Sequence, residues 1–174
     1  MKTTEQWLSE IKASPEKLNE WLRRQYIGEA LAAQRIRTLA NSQPKFSSWL
    51  NLIADQESSH MFWVGTLLVS RGLPIPKPTY EDTRYWGPIL GNLHTFEEVA
   101  GAGYHAERMR LLRIEALATD PEIAEDIRDV FKRILPEERF HEKAFFAMST
   151  NEAVKSTLIL HQQGLDLLGL REEY

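Results

Sequence analysis

Apolar residues recur along most of this chain at spacings of three, four and seven, the period of an amphipathic helix, and no strict alternation or β-branched run interrupts them. The first such stretch, Thr4 to Lys12, sets Trp7, Leu8 and Ile11 on one face. Ser14-Pro15-Glu16 then offers an N-cap followed by a proline at the first helical position. The helix predicted there runs to about Asn41, with Leu18, Leu22, Ala33, Ile36 and Ala40 as its stripe. The turn residues Asn41-Ser42-Gln43-Pro44 separate it from a helix that starts at Pro44 or Ser47 and ends near Arg71. Leu50, Ile53, Ala54, Met61, Val64 and Leu68 line that one. Gly72 is its natural stop, and Pro74, Pro76 and Pro78 keep the following chain extended.

From Gly72 to Pro88 there is no helical pattern. Roughly 17 residues at polyproline rise span about 50 Å, more than the length of one bundle helix. The connection can therefore cross from one end of a helix bundle to the other. The third long helix starts between Pro88 and Phe96, where Thr95-Phe96-Glu97-Glu98 has the form of a capping box, and it ends near Thr119. Asp120-Pro121-Glu122 is expected to cap the fourth, which reaches about Met148 and is kinked at Pro136. Ser149-Thr150-Asn151 opens a last helix, from about Glu152 to Leu168, stopped by Gly169. The expected fold class is all-α, in a single domain spanning residues 1–174.

Composition narrows the function classes. At 174 residues, with 43% apolar and 26% charged side chains, the chain is long enough and apolar enough to bury a core. A net charge of −4 gives no whole-chain footprint for nucleic acid. Cysteine is absent, which excludes disulfides, cysteine-ligated zinc or iron–sulfur sites and a cysteine nucleophile. No apolar run of membrane-spanning length occurs, and the N-terminal residues lack a basic region followed by an apolar run. The expectation is a cytoplasmic protein with no membrane partner.

The chemistry lies in four glutamates. Glu29 stands seven residues from Leu22 and Ile36, Glu57 seven from Leu50 and Val64, Glu107 seven from Ala100 and Ile114, and Glu138 seven from Phe131 and Phe145. Seven residues are nearly two turns, so each glutamate points where its apolar neighbours point, into the core. A buried ionised carboxylate costs several kcal/mol unless it is compensated. Protonation, arginine partners or metal ions are the available remedies. Glu57 and Glu138 each have a histidine three residues on, His60 and His141, on the same helical face. Two divalent cations would neutralise four carboxylates and two neutral imidazoles. The Glu-x-x-His motif alone is a weak signal; its order, its core-facing placement and the long second connection make the combination specific.

This arrangement resembles the ferritin-like di-iron carboxylate proteins, in which two helices give one glutamate each and two others give Glu-x-x-His. The order here, Glu29, Glu57/His60, Glu107, Glu138/His141, covers residues 15 to 149. The resemblance implies a ferritin-like four-helix bundle with a long crossover between its second and third helices, plus short N- and C-terminal helices. It implies that Glu57 and Glu138 bridge two metals, with Glu29 and His60 completing one and Glu107 and His141 the other. Two iron ions are the implied cofactor, with manganese or a mixed pair as the alternative. The implied activity is that of a di-iron oxidoreductase using O2 or H2O2, with an organic substrate and an electron donor that the resemblance does not name. The alternative is ferroxidase, iron-handling or peroxide-scavenging work. Many such proteins dimerise, so a homodimer is implied as well.

Two departures from rubrerythrins are plain: Arg110 stands where they carry a second glutamate one turn after the third-helix ligand, and no cysteine serves a rubredoxin domain. Arg110 is open to pairing with a ligand carboxylate, to meeting an anionic substrate, or to a surface role. If Asp120 starts the fourth helix, Glu107 and Glu138 sit out of register; the Pro136 kink or an unusual loop would correct this, and otherwise Glu97 or Glu98 would stand in for Glu107. Tyr104, one turn before Glu107, is a candidate hydrogen-bond donor or redox phenol beside the metals. Gln25 has the same relation to Glu29, and its alternative is a place on the rim. His105 should face away from the site, and His94 and His161 are expected at the surface or in ordinary packing. Gly101 and Gly103 either permit close helix packing or, with Ala32 and Ala33, leave room for a substrate. Glu97-Glu98 and Glu172-Glu173 are expected on the solvated surface.

Overall fold

The structure is a computed structural model that describes residues 1–79 and 84–171. Glu172 and Glu173 lie outside the described residues. Seven α-helices occur among them: α1 Thr4–Ala13, α2 Pro15–Ser42, α3 Ser47–Ser70, α4 Trp86–Leu90, α5 Phe96–Thr119, α6 Glu125–Met148 and α7 Asn151–Leu168, with one 3-10 turn at Pro44–Phe46. No helix among the described residues is long and apolar enough to cross a membrane.

The helix ends follow local chemistry. Thr3 and Thr95 form full capping boxes with Gln6 and Glu98. Ser14 and Thr150 accept from the backbone N–H of Lys17 and Ala153. Gly169 ends α7 with φ 69°, a left-handed conformation that glycine adopts without a steric penalty. The end of α7 is tied to the N-terminus, since Lys2 N–H donates to Gly169 O and Arg171 N–H to Lys2 O.

Two expected boundaries move. The Gly72–Pro88 stretch is not wholly extended, because α4 begins at Trp86. Pro88 falls in its first turn, where a missing N–H costs nothing. More consequentially, Asp120 does not start the fourth helix. It is the C-cap of α5, and its carboxylate is spent on the backbone N–H of Glu122 at 2.7 Å and on Lys12 Nζ at 2.9 Å. The turn so formed delays α6 to Glu125, and α6 then stays helical through Pro136. This restores the register: Glu107 lies 12 residues before the end of α5 at Thr119 (119 − 107), and Glu138 lies 13 after the start of α6 at Glu125 (138 − 125).

α2 packs on α3, α5 on both α6 and α7, and α3 on α6. Three apolar cores result, one of them between α4, α5 and α7, and the other two lie within the four long helices. One gathers Leu22, Val64, Ile114, Phe131 and Ile134, with Trp7 and Ile11 of α1 covering it. The other gathers Ile36, Leu50, Ile53, Ala100 and Phe145. α2 and α6 thus pass from the first core to the second, whereas α3 and α5 pass from the second to the first. Full burial of each such large side chain is worth about 1.5–3 kcal/mol. Every one of the four glutamates sits between a residue of one core and a residue of the other. Met61, expected on the buried stripe, is only half-buried, and Trp49 is 46% exposed.

Candidate metal centre

The seven-residue spacing that brackets each glutamate with apolar residues puts all four in one polar layer between the two cores. Glu29, Glu57 and Glu138 are fully buried, as are His60 and His141, and Glu107 is nearly so. Oxygen and nitrogen atoms of Glu29, Glu57, His60 and Glu138 lie within 4.8 Å of one another, and so do those of Glu57, Glu107, Glu138 and His141. The two groups share Glu57 and Glu138, one from α3 and one from α6.

The two histidines are oriented by a reciprocal exchange between α3 and α6. His60 Nε2 is 2.8 Å from Glu137 Oε2, and His141 Nε2 is 3.0 Å from Gln56 Oε1. Each acceptor requires the proton on Nε2, and the Nδ1 of a neutral ring is then left with its lone pair. Those Nδ1 atoms face the carboxylates: His60 Nδ1 is 3.3 Å from Glu138 Oε1, and His141 Nδ1 is 3.2 Å from Glu57 Oε1. An outer hydrogen bond that sets tautomer and ring plane is the usual support of a metal-ligating imidazole. Glu137 and Gln56 did not figure among the expected site residues. The available signal was the polar residue directly before each motif glutamate, in Gln56-Glu57-Ser58-Ser59-His60 and Glu137-Glu138-Arg139-Phe140-His141.

Arg110 is inside this layer. One guanidinium nitrogen is 2.5 Å from Glu29 Oε2, 3.0 Å from Glu138 Oε1 and 3.5 Å from Glu57 Oε2, and the other is 3.7 Å from Glu107 Oε2. It therefore meets all four carboxylates, and of its open roles the pairing with carboxylates is the one seen. Gln25 Nε2 donates to Glu29 Oε1 at 2.5 Å, so both oxygens of Glu29 are partnered.

The electrostatics of the metal-free cluster divide its members. Burial raises the carboxyl of Glu29, but Arg110 and His60 outweigh it and hold the group well below the carboxylate range. Glu138 is lowered for the same reasons. Burial and the adjacent Glu29 charge push Glu57 well up, despite Arg110. Burial does the same to Glu107, with the Glu138 and Glu29 charges adding to it. For His60, burial is overcome by the nearby Glu138 and Glu29 carboxylates, which raise the imidazole to about 10. His141 is lowered to about 4, first by burial and then by the His60 and Arg110 charges, against the pull of Glu138. Burial is also overcome at Arg110, where the four carboxylates push an already strong base further up. Arg110 and the raised His60 thus favour charge on Glu29 and Glu138, while burial disfavours it on Glu57 and Glu107.

The layer is also short of hydrogen bonds. Glu57 Oε1, His60 Nδ1, Glu107 Oε2, Glu138 Oε2 and His141 Nδ1 are buried without a hydrogen bond. All five belong to the two metal-capable groups. Such orphaned atoms cost about 1–3 kcal/mol each, so a compact cluster of them is not expected of a purely structural layer. Carboxylate oxygens with one imidazole nitrogen per group form a donor set suited to Fe(II) or Mn(II). The residues of each group could hold a metal ion.

The remaining candidates have other partners. Glu98 is committed to the α5 cap, accepting from the N–H groups of His94 and Thr95, and Glu97 is exposed; neither stands in for Glu107. The hydroxyl of Tyr104 accepts from Arg108 at 3.3 Å, and its ring packs on His105 and Phe146. His105 is buried, reaches the Val154 carbonyl through Nε2 and stacks on His161. His161 is buried with Nδ1 2.6 Å from Tyr85 Oη, and His94 is exposed. Gly101 and Gly103 serve packing. A Cβ on Gly101 would come within 2.9 Å of Thr157 Oγ1, and one on Gly103 within 2.8 Å of the Phe145 ring.

Among known proteins, no family model matches this sequence, and no curated protein and no solved structure matches it either.

Proposed function

We propose that this chain is a ferritin-like four-helix-bundle protein, built from α2, α3, α5 and α6, that holds two iron ions and carries out redox chemistry with O2 or peroxide. The observation that carries the reading is the clustering of five buried polar atoms without hydrogen bonds on residues of the two groups that share Glu57 and Glu138. In this reading Glu29, Glu57, His60 and Glu138 would hold one ion and Glu57, Glu107, Glu138 and His141 the other, with Glu57 and Glu138 common to both. The opposite helix directions of α3 and α5 relative to α2 and α6 support a crossover between α3 and α5.

Bound iron would supply the capacity to give electrons to O2 or peroxide and take them back. The chain's own residues do the rest. Gln56 and Glu137 keep the two Nδ1 atoms turned toward the carboxylates. Gln25 and Arg110 hold Glu29 in one orientation. The apolar cores on either side exclude water, which strengthens every charge interaction within the layer. Arg110 and Glu107 keep 18% and 6% side-chain exposure, whereas the side chains of the other five residues of the cluster keep none. Small reactants therefore reach the layer from the α5 side.

The filling of space at Gly101 and Gly103 by Thr157 and Phe145 favours small reactants over a bulky organic substrate at that place. It gives the second reading, ferroxidase or peroxide scavenging, a specific support. Anaerobic Fe(II) loading followed by air tests both. O2 consumption with growth of a near-ultraviolet ferric absorption is expected. Iron that binds and stays ferrous in air refutes the redox reading.

A further inference from the structure

The outer face of α3 is unlike a solvated helix surface. Leu52, Phe62 and Val69 stand on it with 47%, 67% and 62% exposure. Of the 24 residues of α3, Asp55 is the one charged side chain outside the polar layer, and Arg37 meets it at 2.9 Å. The hydroxyls of this helix are turned inward: Ser58, Ser59, Thr66 and Ser70 donate to the carbonyls of Ala54, Asp55, Phe62 and Leu67. They can leave water without losing those hydrogen bonds, so covering this face avoids the cost of an orphaned donor. Beside Phe62 the face is hollowed over Gly65 into a groove of about 340 Å³ that Tyr26, Val69 and Ile75 also line. It offers a hole as well as a knob.

The spacing says what covers it. Leu52, Asp55, Ser59, Phe62, Thr66 and Val69 alternate at three and four residues, the seam of a helix that pairs with another helix. The seam complements itself when α3 is set antiparallel to its own copy about a two-fold axis level with His60 and Met61. Leu52 then lies level with Val69 of the partner subunit, Asp55 with Thr66 of the partner subunit and Ser59 with Phe62 of the partner subunit. Apolar meets apolar, polar meets polar, and the bulky ring meets the small serine. A two-fold axis makes every such match twice. The face carries no unpaired charge to repel its copy. Twenty-four residues make a helix about 36 Å long and about 10 Å wide, and two such faces approach the roughly 1,000 Å² that a specific interface buries in total.

We propose that the α3 face is the contact surface of a homodimer, in which two copies of this chain pack antiparallel along this seam. The dimer is independent of whether the polar layer holds metal. The test is sedimentation equilibrium of the full chain at micromolar concentration after chelation. Twice the mass of the chain is expected. Phe62→Glu and Val69→Glu should sediment as monomers, and their exposure in the parent lets both fold, which circular dichroism checks. Ile159→Glu, at an equally exposed apolar position on α7, should remain dimeric. The register has its own readout, because the chain has no cysteine. Leu52→Cys with Val69→Cys in one chain should oxidise to a closed covalent dimer, and either change alone should not. The two positions are 17 residues apart (69 − 52) on one helix, about 25 Å, so they cannot bridge within a chain, where a disulfide needs Cα atoms within about 7 Å. A monomeric parent, which would leave the face to some other partner, overturns the proposal. So does a dimer that survives both Glu variants, or a double-cysteine chain that yields no covalent dimer.

Discussion

Glu107→Met separates a site kept for metal from one kept for stability. In the metal-free chain Glu107 is nearly buried, its Oε2 has no hydrogen bond, and burial pushes its carboxyl well up. Its contact with Arg110 is long, at 3.7 Å. An unsatisfied buried polar group costs about 1–3 kcal/mol, and an unbranched apolar side chain of similar length removes that cost. The variant should therefore be more stable than the parent by about 1–3 kcal/mol when both are metal-free. At this chain length each kcal/mol moves the midpoint by about 2–4 °C, so the expected rise in Tm is roughly 2–12 °C. Thermal unfolding followed by circular dichroism, after chelation, reads it. Metal added back should stabilise the parent more than the variant, because one of the two groups has lost a ligand. A metal-free variant that melts below the parent would mean that Glu107 contributes to the fold, and the reasoning from its orphaned oxygen would fail.

Three further outcomes follow from the same geometry. Glu57→Ala and Glu138→Ala should each abolish stoichiometric metal binding, since both metal-capable groups contain both residues, whereas His105→Ala should leave it intact; elemental analysis checks all three. Gln56→Ala frees the His141 ring from its anchor and should weaken metal binding by about 10–100-fold without abolishing it, measured by competition with a chelator. The metal-free protein should have a bell-shaped stability profile with pH. The lowered His141 means that the unfolded chain binds more protons between about pH 4 and 6.5, so stability rises there. The raised His60 means that the folded chain binds more protons from about 6.5 to 10, so its contribution is lost as pH rises through that range. Glu57 and Glu107, raised from 4.5, lower stability as pH rises above that value and so oppose His141 there, whereas Glu29 and Glu138, lowered from 4.5, raise stability as pH climbs toward it. A Tm that climbs steadily above neutral pH in the chelated protein would contradict these charge states.

Much of this was legible in the sequence, and the reasons are local. Capping residues Ser14 and Thr95, the stop at Gly169 and the seven-residue spacing around each glutamate act through neighbours within two turns, so they can be read directly. What could not be read depended on distant partners. Asp120 looks like an N-cap because Pro121 follows it. Its carboxylate is diverted by Lys12, 108 residues earlier, and that shift sets the register of Glu107 against Glu138. Arg110 is ambiguous on one helix, because only the approach of α2, α3 and α6 turns it from a surface residue into the hub of four carboxylates. Gln56 and Glu137 act across helices for the same reason. The glycines at 101 and 103 were readable as either packing or space, and the choice is made by Thr157 and Phe145.

The central claim is that the polar layer between the two cores is a binding site for two metal ions. Elemental analysis of the parent protein tests it most directly, after anaerobic incubation with excess Fe(II) and removal of unbound metal. Two irons per chain, falling to none in Glu57→Ala, is the expected result. A parent that retains no iron, and none of the other divalent first-row metals offered in its place, would mean that Arg110, His60 and protonation alone satisfy the four carboxylates.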